Sequence, residues 1–413
     1  MIKNANHSGS LWFIFITILI DVVGWGIIIP IMPRLIEGLA HTNLSDASWL
    51  GGLLLFAYSV TQFIFAPIIG GLSDKYGRRP VLLASLFGFF VDYLFLAFAP
   101  GFIWLFLGRV IAGITGASIT TASAYIADIS PVEKRAQNFG LIGVSFGLGF
   151  IIGPAIGGIS GQYLGIKAPF FIAAILSLLN FIYGYFFLPE SLSQDKRRPF
   201  KWSRANPIGS LIQIKKYPEI IAFIVALGIV YLASHAVQSV WAYYTMLKFN
   251  WSESMVGYSL AVAGLLVALA QGGLIRVFIS KFGANKTMIF SLIVSVITYF
   301  LFSIAWNSWI MFVLLIPFQI GGMCGPTLQG KISSGVPETE QGELQGLLTS
   351  MMSLTSIIGP LLMTGLFSYF TKDSSTVYFP GAPMVVASAL FILSLLVVLY
   401  GIKKQDHIIK NIQ

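Results

Sequence analysis

What most constrains this chain is a succession of apolar runs, each about the 20 residues that an α-helix needs to cross the hydrocarbon core of a bilayer. They lie near 11–33, 47–71, 81–99, 102–124, 138–160, 168–188, 219–246, 254–279, 287–305, 309–330, 344–370 and 381–402. Only 10% of the 413 residues are charged, against about 25% in a soluble domain. So few charges cannot cover a water-exposed surface, and lipid must be the solvent for most of it. The fold class that follows is an all-α membrane protein of twelve transmembrane helices. The first run reaches Pro33 without a small-residue cleavage site, so it is expected to be a retained span and not a signal-peptide core.

The net charge of +9 would suggest nucleic acid as a partner in a soluble protein. Here the basic residues follow the topology instead. With twelve spans, Arg34, Lys167, Lys248 and Lys372 fall on one side and Arg109 falls inside a span. The other 20 of the 25 Lys and Arg share the opposite side with both termini. The positive-inside rule then places the termini in the cytoplasm of a multi-pass inner (plasma) membrane protein. No nucleic acid is implied.

The longest polar stretch, 189–218, reads as a cytoplasmic linker between an N-terminal six-helix bundle, 1–188, and a C-terminal one, 219–413. The halves are related. Pro131 to Gly153-Pro154 matches Pro337 to Gly359-Pro360, an offset of 206 residues. The same offset pairs Gly140 with Gly346 and Lys75-Tyr76-Gly77 with Lys281-Phe282-Gly283. A repeat of half the chain length is the mark of duplicated transporters, whose substrate site lies between the halves near the bilayer midplane.

Three ionisable residues lie deep inside spans: Asp21, Asp92 and Arg109. At about 1.5 Å per residue, Asp21 and Asp92 sit about 15 Å from the cytoplasmic ends of their spans, and Arg109 at a similar depth. A charge at mid-membrane costs at least about 2.5–3.5 kcal/mol, so such residues mark a pathway, a proton relay or an ion pair. Two readings are open. Arg109 and one carboxylate form a structural pair that locks helices together, or one carboxylate binds and releases a proton while facing alternate sides. Low dielectric favours the protonated carboxyl, and Asp92 is the first choice for coupling, Asp21 the second.

The loop after the second span reads GGLSDKYGRRP. Gly70, Asp74, Gly77, Arg78 and Arg79 form the pattern G-x-x-x-D-x-x-G-R-R. Its glycines allow a tight turn, and its charges can make and break contacts at helix ends. The fifth span places Gly140, Gly149, Gly153, Pro154, Gly157 and Gly158 at spacings that leave a groove for close helix packing.

With these residues stated, the loop at 70–79 resembles the signature of the major facilitator superfamily, and the span at 140–158 resembles the motif of its proton-coupled antiporters. The segments 107–117, 139–158, 255–266, 328–333 and 341–350 are similar to the tetracycline-efflux branch. The resemblance implies two pseudo-symmetric six-helix bundles alternating access around a central cavity. It implies Asp21, Gln62, Asp92 and Arg109 as cavity and coupling groups. It also implies Asp74 and Arg78 as loop gate residues, with Asp128 as a charged end of the fourth span that meets that loop. Tetracycline exporters of this branch also use a histidine in the eighth span and an acid in the ninth. Here Val267 and Ser295 stand in those places, and Ser280 replaces the acid of the second-half loop. Antiport survives these losses better than tetracycline specificity does.

In the second half, His235, Gln238, Trp241, Tyr243, Tyr244, Gln271 and Gln319 are the polar and aromatic residues that could line a cavity for an amphiphilic substrate. GPTLQGKI at 325–332 imitates a phosphate-binding loop, but it has Ile332 where a magnesium-binding Ser or Thr is needed. The four histidines are scattered, no metal motif appears, and no nucleophile comes with a credible base, so neither a cofactor nor an enzyme is expected. The reading is a monomeric, proton-coupled exporter of a small amphiphilic compound. The alternatives are a transporter of a specific metabolite such as a siderophore, and a non-transporting sensor on the same scaffold.

Overall fold

A computed structural model describes residues 7–116, 118–131, 134–200, 219–337 and 340–412. Among these residues, twelve stretches are helical, long and apolar enough to cross a membrane. The helices of the first half are α1 (His7–Ile28), α2 (Met32–Ala40), α3 (Leu44–Tyr76), α4 (Arg78–Phe98), α5 (Phe102–Thr115), α6 (Ser118–Ile129), α7 (Arg135–Leu164) and α8 (Ala168–Phe187). Those of the second are α9 (Ile221–Phe249), α10 (Glu253–Leu269), α11 (Ile275–Phe282), α12 (Ala284–Ile304), α13 (Ser308–Gly321), α14 (Cys324–Ser334), α15 (Gln341–Thr371) and α16 (Ala382–Ile412). Part of the expected linker, 201–218, lies outside the described residues.

Local chemistry explains where the helices stop. The first apolar run does not continue to Pro33. Pro30 follows closely on the last turn of α1, Pro33 opens α2, and α2 closes at His41 in the left-handed region. The fourth and tenth spans are each two helices. α5 gives way to α6 after Gly116, and α13 gives way to α14 after Gly322. These two glycines are 206 residues apart, so the repeat extends to the breaks. The eighth span passes from α10 through a π-helical turn, Ala270–Leu274, into α11. The stretch 325–332 is helix within α14.

The chain forms two compact units. One comprises Met1–Asn43, Leu53–Asn206 and Trp251–Gly264, the other Leu44–Gly52, Pro207–Asn250 and Leu265–Gln413. This differs from a cut at a single linker. The start of the second span belongs with the second-half helices, and the start of the eighth with the first-half helices. The two exchanged stretches are themselves about one repeat apart.

In the first unit α1 packs on α7 and α8, and α4 packs on α8 and α5. In the second, α9 packs on α15 and α16, and α12 packs on α16 and α13. Each pairing recurs at the offset seen in the sequence. Phe13, Ile14, Ile18, Val22, Leu82, Tyr125 and Ile126 form a buried core in the first unit. Much of the remaining surface is exposed Leu, Ile, Phe and Trp, as a lipid-facing surface requires.

Candidate functional site

The three intramembrane charges lie in the first unit. α4 buries Asp92 at 1% exposure and α5 buries Arg109 at 8%. Arg109 Nη2 donates to Asp92 Oδ2 in a close ion pair. Among the described residues, Asp92 Oδ1 and Arg109 Nε are buried without a hydrogen-bond partner, so each side keeps an unused polar atom. Gly108 leaves room for the pair, since a Cβ there would come within 3.0 Å of Asp92 Oδ1.

Asp21 differs. It is 6% exposed, and among the described residues neither carboxylate oxygen meets hydrogen-bond geometry, although the Ser118 hydroxyl, itself unpartnered, lies close enough to act on it. Ser118 is the polar side chain that acts on it most directly. That residue opens α6, the end at which a helix presents positive partial charge. Tyr58 and Tyr93 lie within electrostatic reach of Asp21, Asp92 and Arg109 alike. The Tyr93 hydroxyl presses on α1 at Gly24, where a Cβ would meet it at 2.1 Å. The Tyr58 ring meets Trp25 edge-on at 5.6 Å between centroids.

The break in the fourth span completes this cluster. Breaking a helix in mid-membrane frees backbone carbonyls that lipid cannot satisfy. Gln62 of α3 donates from Nε2 to the Gly116 carbonyl at 3.2 Å and to the Tyr58 hydroxyl at 3.1 Å. Gln62 therefore sits beside the charges and also holds the broken helix.

The loop pattern folds around Arg78. Its Nη1 pairs with Asp74 Oδ1 at 2.5 Å and donates to Ser73 Oγ at 2.6 Å, and its Nε meets Asp128 Oδ2 at 3.2 Å. Glu190, just past α8, accepts from the backbone N–H of Arg78 at 2.8 Å and of Arg79 at 3.3 Å. A carboxylate thus closes the N-terminus of α4, where the helix dipole favours it. Gly77 holds φ +108 between α3 and α4. Arg79 donates to the Tyr185 carbonyl at 2.6 Å, and Ser191 donates to Asp128 at 3.1 Å. Gly70 supplies the carbonyl that the Ser73 hydroxyl uses, at 2.8 Å.

The glycines of α7 serve two faces. A Cβ at Gly149 would strike Val22, one at Gly153 the Val23 carbonyl at 2.5 Å, and one at Gly157 the Ile27 carbonyl at 2.2 Å, all on α1. Pro154 packs against Gly26 of α1, and its carbonyl lies against Gly257 of α10. Gly158 abuts the backbone of Glu253 and Ser254. Ser254 also donates to Gln162 of α7 in a short contact. Gly140 has nothing within 4 Å of where a Cβ would stand, and plays no part in this packing.

In the second unit the repeat places Leu227, Thr298 and Leu315 where the first has Asp21, Asp92 and Arg109. Tyr299 keeps the place of Tyr93, in an aromatic cluster with Phe302, Phe318 and Phe391. Trp241 and Tyr244, expected as cavity residues, are packing residues at 3% and 0% exposure. Trp241 stacks edge-on against Phe302, and the Tyr244 hydroxyl donates to the Phe302 carbonyl at 2.5 Å and accepts from Lys248 at 3.0 Å. Gln319 is buried at 8% beside Gly322, whereas Gln238 and Gln271 are exposed. Ser295 is buried with its hydroxyl against Gly321.

The sequence profile described as Major Facilitator Superfamily matches residues 14–278 and 223–410. The chain belongs to the Major Facilitator Superfamily. Within it, the class C tetracycline resistance protein of Escherichia coli is 37% identical over 388 residues, 94% of this chain and 96% of that protein. The quinolone resistance protein NorA of Staphylococcus aureus is 28% identical over 402 residues, 96% of this chain and 97% of that one. The crystal structure of the human organic anion transporter MFSD10 superposes with a TM-score of 0.71 at 22% identity, covering 95% of this chain and 99% of that one.

For this member of the superfamily, sequence reasoning missed Glu190, Ser73, Tyr58 and Tyr93. Glu190 stands 112 residues from the loop it caps, in a proline-rich exit from α8 with no periodicity to place it. Tyr93 adjoins Asp92 in sequence and could have been flagged by that neighbour. Tyr58 is four residues, one helical turn, before Gln62.

Proposed function

We propose that this protein exports small amphiphilic compounds from a bacterium in exchange for protons, by alternating access across the inner membrane. The tetracycline and quinolone resistance proteins among its relatives support that substrate range. The observation that carries the coupling is Asp21: a buried carboxylate with two unsatisfied oxygens, next to an Asp92–Arg109 ion pair. With Arg109 paired to Asp92, the three residues together carry one negative charge, which a single proton on Asp21 cancels. This favours Asp21 over Asp92 as the proton-binding group and gives Asp92 the role of lock. Arg109 exchanging between the two carboxylates would link proton binding to helix movement. Gln62, Tyr58 and the unpartnered Ser118 hydroxyl supply the polar contacts for a substrate beside these charges.

Asp74, Arg78 and Asp128 are the conformational gate, with Gly70, Gly77 and Arg79 shaping it, and Glu190 ties that gate to the end of α8. Gly149, Gly153, Pro154, Gly157 and Gly158 keep α7 in contact with both α1 and α10. The distribution of Lys and Arg supports cytoplasmic termini, and the protein works as a monomer.

The test is transport in proteoliposomes with an imposed pH gradient, using tetracycline and a fluoroquinolone as substrates and a trapped pH dye as the proton readout. Wild-type protein should show substrate-dependent proton movement. Asp21→Asn should lose it while still exchanging substrate for substrate. Proton movement that persists unchanged in Asp21→Asn sinks the assignment.

A further inference from the structure

α9 is apolar over most of its circumference, yet Tyr231, Ser234, His235 and Gln238 fall on one face at i, i+3, i+4 and i+7. At about 100° per residue, the exposed Val225 lies about 130° around the helix from the middle of that stripe. The apolar exposed face and the polar face are therefore distinct. An exposed amide in a membrane span is costly against lipid, so Gln238 marks a face that water or a ligand reaches.

Two members of the stripe are already satisfied. The Tyr231 hydroxyl accepts from Gln329 Nε2 at 2.6 Å, and the Ser234 hydroxyl donates to the Val230 carbonyl at 2.8 Å. The other two are not. His235 is 8% exposed and packs its ring carbons on Gly359 of α15, where a Cβ would stand 2.3 Å from Cδ2. Among the described residues nothing hydrogen-bonds to its imidazole, and only its backbone carbonyl is used, by Ser239. Gln238 likewise has no partner among them. The ring nitrogens, unlike Arg109 Nε, keep access to solvent, so a bound ligand can hydrogen-bond them there.

The charge of this wall narrows the ligand. No Asp or Glu occurs in 221–250 or 265–334, and the one acid of α15, Glu343, lies about four turns from Gly359, so this wall itself offers hydrogen bonds but no counter-charge for a cation. We infer that His235 and Gln238 are specificity-determining residues that hold the oxygen-rich, neutral or anionic edge of the exported compound through hydrogen bonds. This rests on the export reading above. Compounds with adjacent keto, enol, amide or carboxylate oxygens gain from the pair, and lipophilic cations do not.

The experiment compares wild type, His235→Leu, His235→Gln and Gln238→Leu. Tetracycline binding is read on purified protein by tetracycline fluorescence, and transport of tetracycline and of ethidium is read in everted vesicles. His235→Leu should weaken tetracycline binding and raise its KM about tenfold, the worth of one net hydrogen bond, with ethidium transport unchanged. His235→Gln should restore most of the loss, and Gln238→Leu should follow His235→Leu in direction. Tetracycline binding within twofold of wild type in both leucine variants overturns the inference. An equal loss for tetracycline and ethidium, with a lowered melting temperature, also overturns it and makes the pair structural. Binding without proton-driven transport in the wild type sinks the export reading alone. Transport with binding indifferent to both variants sinks only this inference.

Discussion

The carboxylate of Glu190 lies directly against the Cα of Gly77, so that a Cβ at 77 would come within 2.2 Å of Oε2. The glycine also holds φ +108. Two demands therefore meet at one position: a conformation that residues with a Cβ rarely adopt, and room for the group that closes α4.

Gly77→Ala should accordingly destabilise the protein by about 1–3 kcal/mol through backbone strain, with the clash in addition. Combining it with Glu190→Ala should recover the clash but not the strain. Thermal unfolding followed with a thiol-reactive dye suits this chain, because Cys324 is its one cysteine and is buried. Equal melting temperatures for Gly77→Ala and wild type would contradict the geometry.

The two acids around Arg78 should differ in weight. The Asp74 side chain is 45% exposed and that of Asp128 is 22% exposed. Asp128 also holds Ser191. Asp74→Asn should cost less than about 1 kcal/mol of stability, as for an exposed pair. Asp128→Asn should cost more, about 1–3 kcal/mol. The same unfolding assay ranks them, and the reverse order would mean that Arg78 depends on Asp74.

Breaking the Asp92–Arg109 pair from one side should be worse than removing it whole. Arg109→Leu leaves a carboxylate at 1% exposure unpaired, a change worth about 3–5 kcal/mol. Asp92→Asn combined with Arg109→Gln removes both charges. The double variant should express and melt closer to wild type than Arg109→Leu does, although neither transports. A double variant less stable than the single one would refute this.

The glycines of α7 divide into two groups. Gly157→Ala drives a methyl into the Ile27 carbonyl and should cost about 1–3 kcal/mol with loss of transport. Gly140→Ala meets open space and should leave both intact, a comparison that needs only growth under drug selection and membrane expression levels.

Much of this was readable beforehand, and the rest was not for physical reasons. Spans announce themselves because lipid imposes a length and an apolarity on every one. Arg78, Asp74 and Asp128 were legible because charges beside a membrane are few and their spacing is tight. Trp241 and Tyr244 turn inward onto Phe302, about 60 residues along the chain, a partner that the sequence of α9 does not name. The ranking of Asp92 over Asp21 turned on which carboxylate Arg109 reaches, a matter of χ angles. The exchanged stretches 44–52 and 251–264 follow from close backbone approaches such as Gly52 to Thr364 and Gly158 to Glu253, which leave no mark in composition.

The concentration of deep charge in one unit has an electrical consequence. A membrane potential does work only on charge that changes depth, about 2.3 kcal/mol per elementary charge across 100 mV. Leu227, Thr298 and Leu315 give the field nothing to pull on, whereas Asp21, Asp92 and Arg109 present a group whose net charge shifts by one when a proton binds. On the proposed coupling, the protein's own share of the voltage dependence is written in three side chains, and a neutral trio would turn with its helices as if the membrane carried no potential at all.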